Sequence, residues 1–159
     1  MRQPTLLDRG FQLAFKVAHR MLRLYWLVRS PRTRGVLVAV WHDGQVLIVK
    51  NSYRRHYTLP GGYQHSGETF EQTGARELSE ECGVVVPVDT LRASYQGVHR
   101  FEFRNDDVTL LEVELPARPE VWIDNREVVW ADFKAPSEVL KMPVVPHLIE
   151  YLERRGRSN

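Results

Sequence analysis

Gly62-Tyr-Gln-His-Ser-Gly-Glu68-Thr69-Phe70-Glu-Gln72-Thr-Gly-Ala-Arg76-Glu77-Leu78-Ser-Glu80-Glu81-Cys82-Gly83-Val84 is the stretch from which the rest of the chain can be read. Thr69 is a good helix N-cap, and Gln72 three residues on makes a Thr-x-x-Gln capping box. A helix is therefore expected from Phe70. Gly83 is placed to end it in a left-handed turn. Glu77, Glu80 and Glu81 stand at i, i+3 and i+4 and share one helix face. Three carboxylates there repel, by a few tenths of a kcal/mol, about 0.3, per like-charged pair. A multivalent cation would reverse the sign. The ligands on offer are hard oxygens with no Cys–His cluster nearby, so Mg²⁺ or Mn²⁺ suits them better than Zn²⁺. Upstream, Leu59-Pro60-Gly61-Gly62 is a Pro/Gly turn that lets main-chain carbonyls approach a ligand closely. Taken alone, Glu-Leu-Ser-Glu-Glu would read as a solvated acidic helix face.

The chain has 159 residues, enough for one domain with a real core. Its 43% apolar and 26% charged content is that of an ordinary globular protein. A net charge of +2 gives no large basic field for bulk nucleic-acid binding. The single Cys82 cannot form an internal disulfide, which suits a reducing, cytoplasmic setting.

Before the glycine turn lies an unexpected segment. From Thr5 to Val28, the residues Leu7, Phe11, Ala14, Phe15, Ala18, Leu22 and Tyr25 recur at helical spacing. Arg9, Lys16, Arg20 and Arg23 are expected on the opposite face. Charges interrupt the segment too often for a transmembrane span, and it lacks the apolar core of a signal peptide. The apolar stripe needs burial against the rest of the chain or across a homodimer. Attachment to a membrane surface and a phosphate-facing basic side are the competing readings. Ser30-Pro31 ends the helix. Residues 1–33 are thus read as an amphipathic helix with its linker, and 34–159 as the main domain.

Val36–Trp41 and Val46–Lys50 are β-rich runs joined through Asp43-Gly44, a strong hairpin signal. Tyr53-Arg54-Arg55-His56-Tyr57 is a basic, aromatic loop. Tyr53, Arg54 and Arg55 are its candidates for holding phosphates and stacking a base, with a solvated connector as the alternative. After the acidic helix, Val84–Val88 reads as a short strand. Ser94–Phe103 and Val108–Leu115 read as a hairpin turning at Arg104-Asn105-Asp106-Asp107, with Phe101, Phe103, Leu111 and Val113 alternating along it. Glu127–Phe133 is a last strand, Pro136–Leu140 a helical turn, and Val144–Arg155 a closing helix with Leu148, Ile149 and Leu152 inward. Hairpins among helices exclude a purely parallel doubly wound sheet. His99 and His147 are not at ligand spacing, and a solvated or hydrogen-bonded role is expected for each.

Residues 62–84 match, at every fixed position, the pattern G-x5-E-x7-R-E-U-x-E-E-x-G-U, in which U is aliphatic. The stretch resembles the box of the Nudix hydrolase family. That resemblance implies an α/β fold, an α/β/α sandwich around a mixed β-sheet, here with an added N-terminal amphipathic helix. It also implies a hydrolase acting on phosphoric anhydrides: a Mg²⁺- or Mn²⁺-dependent pyrophosphohydrolase that cleaves a nucleoside diphosphate derivative by water attack on phosphorus. Nucleotide sugars, ADP-ribose and nucleoside triphosphates are all open as substrates. Marker residues that often accompany ADP-ribose, dinucleoside polyphosphate or NADH specificity are not found around Val98-His99-Arg100-Phe101. The resemblance makes Glu80 and Glu81 metal ligands, Glu77 a further ligand or a catalytic group, and the Gly61 carbonyl another ligand. Gly62, Glu68, Arg76 and Gly83 would support the site, with Glu68 paired to Arg76. Glu127 is the candidate distant catalytic base, with Glu102, Glu120 and Glu138 as rivals. A small-molecule substrate and a homodimer are the expected partners, with no stable nucleic-acid or membrane partner. A non-catalytic nucleotide-binding module and a membrane-surface adaptor are the alternatives.

Overall fold

Val36, Val38, Ala39 and Val40 have no exposed surface, nor do Val46 to Val49, and these two runs form the centre of the sheet. In the computed structural model, which describes residues 3–158, they lie in β1 (Arg32–His42) and β2 (Gln45–Asn51). The turn between them is Asp43-Gly44, both with positive φ, as a tight hairpin between twisted strands demands. β3 (Gly61–Tyr63) pairs antiparallel with the start of β1. β4 (Arg92–Phe101), β5 (Arg104–Glu114) and β6 (Val128–Lys134) complete a mixed sheet of order β4-β5-β1-β2-β6. β1 and β5 pair in parallel.

Residues alternate across β1, so each face of the sheet receives its own core. Val36, Val38 and Val40 meet Leu78 and Cys82 of α2 (Phe70–Cys82) on one face. Ala39 and Trp41 meet α3 (Pro136–Val139) and α4 (Pro146–Ser158) on the other. This is the expected α/β/α sandwich. Helix α1 (Leu6–Arg29) is added to it, capped by Thr5 and ended by Ser30 in a left-handed conformation. Its axis lies outside both core layers, over the β4–β5 turn and the loops beside Tyr53 and Asn125.

Several local expectations are corrected. The β4–β5 turn is Glu102-Phe103, both with positive φ, not Arg104–Asp107. Those four residues continue β5 because Arg32, Thr33 and Arg34 of β1 pair with Asn105, Asp106 and Asp107. Val84 to Val88 is no strand; Val84 and Val86 are buried, but the segment runs extended into a single 3-10 turn, Val88–Thr90. In α4, Tyr151 rather than Ile149 joins Leu148 and Leu152 inside. Phe103 is exposed at the hairpin tip.

The apolar stripe of α1 is the largest correction. Leu7, Phe11, Leu22 and Tyr25 are all exposed, and the helix lies on the domain by the face bearing Asp8, Gln12, Phe15, His19 and Trp26. Polar partners decide this. Asp8 meets Arg126, Gln12 donates to the Asn125 carbonyl, and His19 Nε2 lies 3.4 Å from Glu102. Trp26 covers the buried Arg104 guanidinium at 4.2 Å. Arg23 sits partly buried beside Phe103 instead of pointing into solvent.

Candidate active site

Helix α2 starts and stops where its caps require. Thr69 accepts from the Gln72 N–H while Gln72 reaches back to the Thr69 N–H, and Gly83 ends the helix at φ 65°. Gly74 lets the helix approach the sheet, since a Cβ there would come within 2.9 Å of Leu111 and Val38. Gly61 has φ 148°, and a Cβ on it would overlap the Val36 carbonyl. At Gly62 a Cβ would collide with the Glu77 carboxylate. Both glycines of the turn are thus required by close approach.

Glu77, Glu80 and Glu81 project from α2 into one cleft, bounded across the gap by Gly61, Gly62 and Tyr63. Glu127 enters the same cleft from the residue before β6, with Asn51, Tyr53 and Arg54 beside it. The cleft measures about 340 Å³. Arg76 organises its acidic wall. Its guanidinium donates to Glu68 at 2.9 Å, to Glu77 at 2.8 Å and to Glu80 at 3.1 Å. The contact with Arg76 holds the Glu68 carboxyl down at about 2. Glu81 takes no part in that network. Its Oε2 accepts from the Gly61 N–H at 2.8 Å. Burial pushes its carboxyl up to about 8, and the neighbouring Glu77 and Glu127 push the same way. Burial also raises Glu77, against the pull of Arg76. A carboxylate whose charge is this costly is one that a cation would stabilise.

The donor chemistry fits a hard divalent ion: four carboxylates in one cleft and no soft ligand. Among the described residues no three such groups are drawn close enough to enclose an ion, since Arg76 holds Glu77 and Glu80 while Glu81 turns to Gly61. Gly61 contributes its N–H to the cleft's hydrogen bonding. Tyr53 donates to Glu127 Oε1 at 2.8 Å, and the Ser52 N–H donates to the Glu127 carbonyl. The Tyr53 ring is covered by His19 and Phe15 of α1, so it positions Glu127 and offers no free stacking face. Arg54 borders the cleft with its Nε buried and unpartnered, whereas Arg55 is exposed and outside it. Glu102 is committed to His19, Glu138 to the Ala135 N–H, and Glu120 is exposed; none borders the cleft.

A second cleft shares Arg54, Gly61, Gly62 and Tyr63 with the first and continues to Thr58, Phe101, Arg104 and His147. The sequence gives no warning of it. Thr58, Arg104 and His147 are each almost fully buried and each carries polar atoms without a partner. His147 is neither solvated nor hydrogen-bonded, contrary to expectation. Burial pushes its imidazole down to about 4, and its ring stands edge-on to His99 at 4.4 Å. His99 is hydrogen-bonded, to Tyr95 and Glu150.

A profile of the NUDIX domain matches residues 31–154. An ADP-ribose pyrophosphatase from Methanocaldococcus jannaschii is 34% identical over 87 residues, 53% of this chain and 51% of that protein. An NAD-capped RNA hydrolase, NudC, from Pasteurella multocida is 31% identical over 125 residues, 73% of this chain and 45% of that protein. The chain thus spans about half the length of the curated relatives it matches. The crystal structure of a MutT protein from Methanosarcina mazei has the same fold, with a TM-score of 0.70 at 19% identity over 82% of this chain and 96% of that one. With the profile running from Pro31 in the link before β1 to Arg154 in α4, the chain belongs to the NUDIX domain family.

Proposed function

We propose that the chain is a divalent-cation-dependent hydrolase of a pyrophosphate bond in a nucleoside diphosphate derivative. The observation that carries this reading is the meeting of Glu77, Glu80 and Glu81 with the distant Glu127 in one cleft that also holds Arg54 and Arg76. A diphosphate would be repelled by such a wall without a counter-cation. When bound, Mg²⁺ or Mn²⁺ supplies that charge, polarises phosphoryl oxygens and lowers the pKa of water. Glu80 and Glu81 would hold the ion, with Glu77 and the Gly61 carbonyl as further ligands. Arg76 spaces Glu77 and Glu80 and braces them on Glu68. Glu127, fixed through one oxygen by Tyr53, takes the proton from the attacking water. Arg54 faces the phosphates, where its unpartnered Nε finds an acceptor. The water oxygen joins one phosphorus as the bridging P–O bond breaks, and the two products are monophosphates.

The adjoining cleft, about 50 Å³, is too small to enclose a nucleoside and suits only a polar edge of one. It opens directly from the carboxylate cleft at Gly61 and Gly62, and its buried Thr58, Arg104 and His147 offer unsatisfied donors and acceptors. The named activities of the two relatives, on ADP-ribose and on an NAD cap, share a pyrophosphate bearing adenosine on one side. An ADP-containing substrate is therefore the first to test. ADP-ribose, NAD, nucleotide sugars and nucleoside triphosphates are incubated with Mg²⁺ and with Mn²⁺, and products are separated by chromatography. AMP from ADP-ribose or NAD is the expected product. No cleavage of any diphosphate with either ion would overturn the reading.

A further inference from the structure

Helix α1 is inverted relative to an ordinary surface helix. Its polar and aromatic face lies on the domain, through Asp8, Gln12, His19 and Trp26. Its aliphatic face looks outward: Leu13, Val17, Met21 and Leu24 are 63%, 47%, 67% and 65% exposed. At about 100° per residue these four fall in one arc with Leu6 and Val28. The sole acid of the helix, Asp8, is buried against Arg126, so every exposed charge on α1 is basic. Arg9, Lys16 and Arg20 line one edge of the arc and Arg29 marks the other. Beside this row, Arg20, Arg23, Leu24, Leu27 and Phe103 line an open groove of about 350 Å³. In it the Arg23 Nε is buried without a partner.

Monomers rarely leave contiguous apolar patches of more than several hundred Å² open, roughly 300–600, and six exposed aliphatic side chains in one arc call for an occupant. Charge selects which. A second copy on this face about a two-fold axis would bring two basic rows together, and α1 presents no carboxylate to pair with them. RNA would satisfy the basic row and leave the aliphatic arc in water. An anionic bilayer satisfies both: the arc enters the acyl boundary, while the Arg and Lys stems reach back to phosphodiesters. The groove, with two guanidinium groups beside an apolar floor, suits a lipid phosphate above its first acyl carbons. No helix among the described residues is long and apolar enough to cross a membrane, so the contact is interfacial.

We propose that α1 docks flat on an anionic phospholipid surface. This does not depend on the hydrolytic reading. The full chain is sedimented with vesicles of phosphatidylcholine alone or mixed with phosphatidylglycerol, and its mass is measured by light scattering. It pellets with the mixed vesicles and not with the neutral ones, and it is monomeric in their absence. Val17→Glu with Met21→Glu, at exposed positions, lowers that binding at least about tenfold with an unchanged melting curve. Lys16→Glu with Arg20→Glu weakens it by a similar factor and makes the binding that remains less sensitive to salt; this pair decides the matter if the first fails to fold. Several results would overturn the proposal. These are no pelleting with either vesicle, equal pelleting with both, a dimer that the Val17/Met21 variant splits, and RNA binding in place of vesicle binding.

Discussion

Glu81 is the side chain on which the site's electrostatics turn. It is half-buried among other carboxylates, with its Oε2 accepting from the Gly61 N–H. Its folded value of about 8 lies above that of an unfolded Glu, about 4.3. In protein free of divalent ions its contribution to stability is therefore full below pH ~4, and it is lost as pH rises toward ~8. Glu81→Gln keeps the acceptor for Gly61 and removes the charge. The variant should melt like wild type near pH ~5 and above it near pH ~8, by roughly 2–4 kcal/mol of added stability. Parallel melting curves at both pH values would contradict the burial account. Glu127 is held differently, by one hydroxyl. Glu127→Gln should lower kcat by ~10²–10⁴ with cation affinity retained. Tyr53→Phe, which frees Glu127 without replacing it, should cost less, about tenfold in kcat with little change in KM. A Tyr53→Phe rate equal to wild type would remove the positioning role.

At the scale of elements, the caps decided what could be read in advance. Helix α2 has strong local signals at both ends, Thr69-x-x-Gln72 and Gly83, and both were legible. The β4–β5 turn was not. Arg104 to Asp107 looks like a polar turn until β1 is laid beside it, and only that long-range pairing makes it strand. Helix α1 misled for a related reason. Periodicity picked out Leu7, Phe11, Leu22 and Tyr25 for burial, all of them exposed, passed over the outward arc of Leu13, Val17, Met21 and Leu24, and says nothing of which face meets the domain. That was settled by buried charge, in Asp8 with Arg126 and Trp26 over Arg104. Arg104 lies 2.8 Å from Asp106 and 3.8 Å from Glu102, so its removal takes the buried cation from two carboxylates under the helix and leaves them to Thr33 and His19. Arg104→Met should cost ~3–5 kcal/mol, a fall of about 10 °C in Tm. A change of under about 2 °C would mean that water already reaches this cluster.

Across the whole molecule, the sheet gathers at one end what the chain keeps far apart. β1 and β3 set the glycine turn against α2, β2 delivers Asn51 and the Tyr53-Arg54 loop, and the entry to β6 delivers Glu127. The box glutamates were legible because they are local, at helical spacing on α2. Glu127 could only be nominated, since its place depends on β6 pairing with β2. The second cleft was invisible because Thr58, Arg104 and His147 come from three unrelated segments. Helix α1 closes this end, with Tyr53 and Arg126 beneath it. The account as a whole rests on the four-carboxylate cleft being a cation site, which can be tested without knowing the substrate. Mn²⁺ is titrated calorimetrically into metal-free wild type, Glu80→Gln and Glu81→Gln. The account predicts saturable binding by wild type and affinity at least about tenfold weaker in each variant, the loss expected when one anionic ligand is removed. Equal Mn²⁺ affinity in all three proteins would contradict it.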